Sequence, residues 1–260
     1  MANQLNMLAK TAQRVLVAAI MLSPWAAARA DTLLMQGSST VNRQVMEPFH
    51  AEIERLSGQV LTVIPNRSTL GLLALLEGRA HIAMLSAPLE SESSNLQKAM
   101  PGLSFDKLKA HEIKRTRVGI GVHPSNPVRH ATREQLQKIL EGKITNWKSL
   151  GGADLPIRVI LVGGGGGVTV TVEAALLKGE QASTPNKLYV KTATQLFQVV
   201  EQEPGAIGFG QLGVLKQRKA TELSADKPIE QVLYLVTSGE PTPAMEAVIK
   251  ATKQVAAQQM

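Results

Sequence analysis

The chain has 260 residues, a formal net charge of +7 and no cysteine. This length is enough for one large domain or for two lobes with a sizeable apolar core. The absence of cysteine excludes disulfide bonds, and it also excludes a membrane anchor built on a lipid-modified cysteine. Aromatic residues make up only 3% of the chain, the basic residues are scattered, and no nucleic-acid-binding motif occurs, so we expect no nucleic-acid partner.

Residues 1–30 have the pattern of a secretory signal peptide. Two basic residues precede the apolar stretch Val15 to Leu22, and Ala28-Arg29-Ala30 matches the small-residue pattern of a cleavage site. We therefore expect cleavage between Ala30 and Asp31 and a periplasmic location for the mature chain. The alternative is an uncleaved membrane anchor, but the apolar stretch is far shorter than the roughly 20 residues that span a bilayer.

The first predicted strand, 32–36, leads into Gly37-Ser38-Ser39-Thr40 and then into a helical pattern. A helix that opens in this way presents unpaired backbone N–H groups and hydroxyls at the positive end of its dipole, which is a favourable place for an anion. The alternative is ordinary helix capping by Ser or Thr. Ser38, Ser39 and Thr40 are therefore candidate anion-binding residues.

The rest of the mature chain alternates helix and strand patterns, which predicts an α/β architecture. In chain order we predict a helix at 45–56, a strand at 60–64, a helix at 70–76, strands at 81–85 and 118–122, a helix at 132–140, a strand at 157–162, helices at 172–178 and 192–200, strands at 205–210 and 232–237, and a helix at 242–255. The polar stretches 91–95 and 216–227 are interpreted as solvated surface.

Three of the early strands end in hydroxyl side chains. Ser38 and Ser39 follow the first strand, Ser68 follows the second, and Ser86 follows the third. In open parallel sheets, ligands bind beyond the carboxyl ends of the strands, so these hydroxyls are expected to converge on one site.

A run of five glycines, 163–167, follows the strongly apolar strand at 157–162. Its backbone N–H groups could form a nest for an anion, or the run could be a flexible loop that binds nothing. A nucleotide-binding loop would need a Lys directly after the glycines, and Val168 and Thr169 stand there instead.

The sequence contains no recognisable catalytic or metal-binding constellation. No Gly-x-Ser-x-Gly pentapeptide occurs, so a serine hydrolase is not indicated. No two of the five histidines have the His-x-x-x-His spacing of a metal site on a helix. We therefore predict no catalytic residue, no metal and no cofactor.

Four stretches of the chain carry a resemblance to a known family: 37–41 (GSSTV), 78–83 (GRAHIA), 136–152 (LQKILEGKITNWKSLGG) and 204–209 (PGAIGF). In this order they resemble the phosphate-binding periplasmic protein family, the substrate-binding proteins of ATP-driven phosphate import. The third stretch is the most specific. The resemblance implies the type 2 periplasmic-binding-protein fold, in which two α/β lobes, each a mixed sheet flanked by helices, are joined by two hinge strands. The first lobe would combine 31–118 with 222–260, and the second would hold 119–221.

The resemblance also implies a ligand and a set of contacts. The ligand would be phosphate or a similar small oxyanion, the partner an ABC permease, and the binding protein a monomer. The anion-binding residues carried over are Ser38, Ser39, Thr40, Ser68, Ser86, Gly165, Gly166, Gly167 and Thr169.

The chain departs from the family at its charged positions. The Arg that usually precedes the second loop is absent from 161–168, and Pro88 replaces the Arg after the third-strand serine. An arginine fork is the preferred bidentate partner of phosphate oxygens. We therefore expect mostly neutral donors. Without a pocket carboxylate to accept the proton of hydrogen phosphate, we also expect poor discrimination between phosphate and sulfate. A second hypothesis stays open, in which a degenerate module binds little ligand and acts in signalling through a membrane sensor, or as a scaffold.

Overall fold

The computed structural model describes residues 32–258. The predicted signal peptide, 1–30, and its cleavage site lie outside the described residues.

The strands are β1 (Leu33–Ser38), β2 (Leu61–Asn66), β3 (Ile82–Leu85), β4 (Leu108–Val122), β5 (His130–Ala131), β6 (Arg158–Val162), β7 (Lys187–Val190), β8 (Ala206–Gln211), β9 (Thr221–Glu222), β10 (Ser224–Ala225) and β11 (Glu230–Ser238). The helices are α1 (Ser39–Val41), α2 (Glu47–Ser57), α3 (Ser68–Leu76), α4 (Leu89–Ala99), α5 (Arg133–Leu140), α6 (Gly167–Leu177), α7 (Ala193–Gln202), α8 (Leu212–Leu215) and α9 (Pro243–Ala257). A π-helical segment, Asn42–Met46, joins α1 to α2, and a 3₁₀ turn covers Trp147–Leu150.

One long mixed sheet runs through the described chain in the order β2-β1-β3-β11-β4-β8-β6-β7. The strands β1, β2 and β3 are parallel, as are β6, β7 and β8, while β4 and β11 run antiparallel to their neighbours. The strand β4 changes partner along its length, because it pairs with β11 up to Arg117 and with β8 from Val118. It therefore links the two halves of the sheet.

Each half of the sheet is covered by helices on both faces. In the first half, α2 and α9 pack on one face and α3 and α4 on the other. In the second half, α5 and α6 cover one face and α7 and α8 the other. Leu223 and Ile229 belong to the core of the second half, although the sequence assigned 222–260 to the first lobe. The predicted mixed α/β fold with two helix-flanked halves is therefore confirmed.

Several elements differ from the sequence prediction. The polar stretch 91–95 is not open surface, because it lies within α4 and its Glu92 is fully buried. The strand β4 begins ten residues before the predicted 118, in a segment where charged side chains alternate with half-buried ones. The helix α6 begins at Gly167 rather than at 172, and β7 and α8 were not predicted. In each case tertiary pairing, rather than an apolar pattern, defines the element.

Gly71 of α3 allows this helix to lie directly on β1. A side-chain carbon at Gly71 would sit 2.3 Å from the carbonyl oxygen of Gln36. We expect Gly71→Ala to destabilise the protein by about 1–3 kcal/mol, because overpacking forces the backbone to shift. Urea unfolding would measure the change. Gly213→Ala is the matched control, since no atom of the described residues outside its own helix lies within 4 Å of the added carbon. Equal stability of both variants would show that α3 can move at no cost.

Candidate anion-binding cleft

A cavity of about 820 Å³ lies at the carboxyl ends of β1, β2, β3 and β6. Its lining includes Ser38, Ser39, Thr40, Ser68 and Ser86 from the first half of the sheet. The glycine run 163–167 lines the same cavity from the second half. The structure thus brings both predicted loops and the three strand-end serines together in one cleft.

The hydroxyl of Ser38 is used within the protein. Its Oγ accepts hydrogen bonds from the backbone N–H groups of Thr40 (3.1 Å) and Val41 (3.3 Å), and its proton is donated to the Oγ of Ser86 at 2.8 Å. The Oγ of Ser68 accepts from the backbone N–H of Ser86 at 3.3 Å. The buried serines therefore form a connected set that fixes the floor of the cleft.

Ser39 and Thr40 present the free hydroxyls of the first loop. Ser39 is exposed to the cavity and Thr40 borders it, and neither hydroxyl has a hydrogen-bond partner among residues 32–258. Since Ser38 supplies the helix cap, these two side chains remain available to a ligand.

The glycine loop is positioned by specific contacts. The N–H of Gly163 donates to the carbonyl of Val190 at 2.9 Å, and Gly164 and Gly165 adopt left-handed conformations with φ of 67° and 77°. Within the described chain, no protein group accepts from the N–H groups of Gly164, Gly165 or Gly166. These donors are adjacent to the cavity, as an anion nest requires.

Gly167 brings the second half of the chain against the first. A side-chain carbon on Gly167 would lie 2.0 Å from the Oγ of Ser86, so only glycine fits there. The hydroxyl of Thr171 donates to the carbonyls of Gly167 (2.7 Å) and Ser86 (3.4 Å). The start of α6 is thereby held at the end of β3.

Thr169 is the predicted site residue that the structure does not bring into the cleft. Its hydroxyl donates to the carbonyl of Val162 at 2.9 Å, and the side chain is buried outside the cavity lining. The hydroxyl therefore secures the turn between β6 and α6.

Arg67 is a cleft residue that the sequence reasoning missed. It directly precedes Ser68 at the end of β2, and its guanidinium lies 3.3 Å from the position of a side-chain carbon on Gly164. It thus reaches across from the first half of the sheet to the glycine loop. The arginines expected from the family are absent, but a different one stands in the cleft.

The cleft is positively charged. Arg43, Arg67 and Lys191 line it, and within the described chain none of the three has an acidic partner. No Asp or Glu is among the described lining residues. Unpaired cations in a concave surface raise the local concentration of anions.

A buried carboxyl lies behind the floor of the cleft. Glu92 of α4 is completely buried, and among the described residues no donor completes a hydrogen bond to either of its oxygens. Burial raises its pKa from 4.5 to about 7, and the nearby hydroxyl of Ser68, which stops short of hydrogen-bonding geometry, opposes this rise only in part.

Two further findings concern metals and membranes. Residues 32–258 contain no group of three or more His, Asp or Glu side chains that could hold a metal ion. In the same range, every helix is too short or too polar to cross a lipid bilayer.

Comparison with known proteins gives consistent matches over most of the chain. A family model described as a PBP superfamily domain matches residues 23–258. The phosphate-binding protein PstS of Bacillus subtilis (strain 168) is 26% identical over 197 residues, which cover 76% of this chain and 62% of that relative. The chain thus spans a little under two thirds of the length of this relative.

Solved structures share the fold. The ABC-type phosphate transport receptor of Vibrio cholerae aligns with a TM-score of 0.72 and 24% identity, covering 88% of this chain and 98% of the receptor. A putative phosphate ABC transporter substrate-binding protein of Clostridium perfringens, solved with bound phosphate, aligns with a TM-score of 0.69 and 22% identity over 88% and 98% of the two chains. The resemblance found in the sequence is confirmed, and the chain belongs to the PBP superfamily with the type 2 periplasmic-binding-protein fold.

Proposed function

We propose that this protein is a periplasmic solute-binding protein for phosphate or a similar small oxyanion, which it delivers to an ABC importer. The observation that carries the proposal is the convergence of free hydroxyls, unpaired backbone N–H groups and Arg67 on one cleft without a carboxylate. Such a cleft stabilises negative charge and offers no group that would repel it.

The donors are sufficient for useful affinity. A hydrogen bond to a charged partner contributes roughly 1.5–3 kcal/mol, and a neutral one roughly 0.5–1.5 kcal/mol. Micromolar binding corresponds to roughly −8 kcal/mol. Arg67, Ser39, Thr40 and two or three N–H groups of the glycine loop together reach this range, after allowance for the cost of ordering the ligand.

The relatives support the choice of ligand and partner. The Bacillus subtilis relative is a phosphate-binding protein, and both structural relatives are described as phosphate transport proteins. By analogy, the partner is a membrane permease with its ATPase. The family binds solutes, so we assign no catalytic activity and no cofactor, and we expect a monomer.

The lobes are proposed to close over the ligand by hinge motion. The outgoing hinge would lie where β4 changes partner, between Arg117 and Val118. The returning hinge would lie near Ile229, rather than at 221–222, because Leu223 and Ile229 pack with the second core. The first lobe would then consist of 31–117 and the chain from about 230 to 260.

Calorimetry on the mature chain, 31–260, tests the proposed function. We expect phosphate and sulfate to bind with affinities in the micromolar range and within about tenfold of each other, because no cleft carboxylate accepts the proton of hydrogen phosphate. Replacing both Ser38 and Ser39 by Ala should weaken the two anions by similar factors. Ser94→Ala, on the exposed face of α4, is the control.

The outcomes separate the candidate functions. Tight phosphate binding with strong rejection of sulfate would show that a proton acceptor reaches the ligand directly. Failure of both anions to bind would contradict solute capture and favour the signalling or scaffold module. Because Ser38 caps the first helix, the melting temperature of the double variant must be measured alongside.

Export is tested separately. Mass spectrometry of the periplasmic fraction should give an N-terminus at Asp31, as the Ala28-Arg29-Ala30 pattern predicts. Full-length chain beginning at Met1 in the membrane fraction would contradict both the cleavage site and the proposed location.

A further inference from the structure

Glu92 has no evident structural role where it lies. It is a completely buried carboxyl on α4, and no residue in the described range donates a hydrogen bond to it at normal geometry. A buried polar group without partners is costly and calls for an explanation. Its polar neighbour is Ser68, which lines the cleft at the start of α3.

The hydroxyl of Ser68 carries one proton, which can point either towards Glu92 or towards the cleft. Its Oγ already accepts from the backbone N–H of Ser86 at 3.3 Å. If Glu92 is ionised, the Ser68 proton is drawn towards the carboxylate and away from the cleft. If Glu92 is protonated, the carboxyl can donate to the second lone pair of Ser68 Oγ, and the Ser68 proton is free to point at an anion.

We propose that Glu92 is a positioning residue that couples oxyanion binding to the uptake of one proton. Glu92 holds the proton that is taken up, and Ser68 can then donate its own hydroxyl proton to the bound anion. The inference rests on the proposed function. Only Ser68 would touch the ligand, while Glu92 would act from behind the cleft wall.

The electrostatics agree with this assignment. Burial already brings the pKa of Glu92 to about 7, and an anion placed in the cleft would raise it further, because two like charges would then share the low-dielectric region around Ser68. Binding above neutral pH must therefore draw a proton onto Glu92. Desolvation is the main cause of this raised pKa. The other charged or titratable side chains on neighbouring elements do not change the pKa of Glu92, namely Arg67 before α3, Glu90 and Lys98 on α4, Glu173 on α6 and Tyr234 on β11.

Calorimetry can count the proton. Phosphate is titrated into the mature chain at pH 8 in buffers of different ionisation enthalpy, and the number of protons taken up per phosphate is compared between the natural protein and Glu92→Gln. Because phosphate contributes its own protons equally in both titrations, any difference in the number of protons taken up arises from Glu92. We expect the natural protein to take up about half to one proton more, and the difference to vanish near pH 5.5.

Affinity should follow the same pattern. Between the pKa of free Glu92 and its raised value with the anion bound, the affinity of the natural protein relative to Glu92→Gln should fall up to about tenfold per pH unit. Glu90→Gln removes an exposed carboxyl two residues away and should behave like the natural protein. A purely structural role for Glu92 would change affinity or stability without changing the proton count.

The outcomes are distinguishable. If phosphate does not bind the natural protein at all, the proposed function fails. If phosphate binds but the natural protein and Glu92→Gln take up equal numbers of protons, this inference is overturned. Should Glu92→Gln fail to fold, infrared difference spectra of the natural protein at pH 8 provide the test. We expect the addition of phosphate to increase the band of a buried protonated carboxyl. An unchanged band would count against the proposal.

Discussion

Replacing Arg67 by Ala should weaken phosphate binding by about 10- to 100-fold. Arg67 is the cation that reaches the glycine loop, and it has no acidic partner among residues 32–258 that competes for its guanidinium. A hydrogen bond to a charged group contributes roughly 1.5–3 kcal/mol, and about 1.4 kcal/mol corresponds to a factor of ten in affinity. Calorimetric titration of the variant with phosphate measures the loss.

Two matched variants sharpen this test. Arg67→Lys keeps the charge but loses the planar fork, so it should recover only part of the affinity. Arg79→Ala removes an exposed arginine that is paired with Glu77 outside the cleft, and it should leave the affinity unchanged. If Arg67→Ala binds phosphate as tightly as the natural protein, Arg43 and Lys191 supply the charge instead, and the assignment of Arg67 is wrong.

Glu92→Gln should stabilise the protein at pH 8 by about 3 kcal/mol and have little effect near pH 4.5. The pKa of Glu92 is about 7 in the folded protein, against 4.5 for an ordinary glutamate. Between these values the folded state holds more protons than the unfolded state, so stability falls as pH rises from 4.5 to 7 and the loss persists above 7. One pH unit corresponds to about 1.4 kcal/mol, which gives the expected magnitude.

Urea unfolding at several pH values measures this effect. The gain from Glu92→Gln should grow with pH between 4.5 and 7 and then level off, whereas the exposed control Glu90→Gln should show no such trend. A gain that is independent of pH would indicate that Gln simply packs better. A loss of stability at pH 8 would mean that the ionised carboxylate has partners in solution, and both this prediction and the proton-linked role of Glu92 would fall.

Much of the fold could be predicted because residues that favour turns stand at the ends of the apolar runs. The strand β1 ends in Gly37-Ser38, and Gly163-Gly164 directly follows β6, so both the strand ends and the loops can be predicted from the sequence. The helix α4 and the first half of β4 were missed, because polar residues fill them and their packing partners come from distant segments.

The candidate site was predicted in part for the same reason. Hydroxyls at the ends of neighbouring parallel strands lie at one edge of the sheet, so the sequence predicts that Ser68 and Ser86 lie close together, and both line the cleft. Arg67 and Glu92 were not found. Nothing in the local sequence indicates that the side chain of Arg67 crosses to Gly164, or that a glutamate in a serine-rich helix is buried behind Ser68. Both facts depend on how two separate segments pack.

The central claim is that the cleft between Gly37–Thr40 and the glycine loop binds an oxyanion, and a crystal structure of the mature chain with phosphate tests it most directly. The account predicts one phosphate within hydrogen-bonding distance of the Arg67 guanidinium, the hydroxyls of Ser39 and Thr40, and backbone N–H groups of residues 164–167. A cleft that stays empty at saturating phosphate, or a phosphate bound only at some other surface, would contradict it.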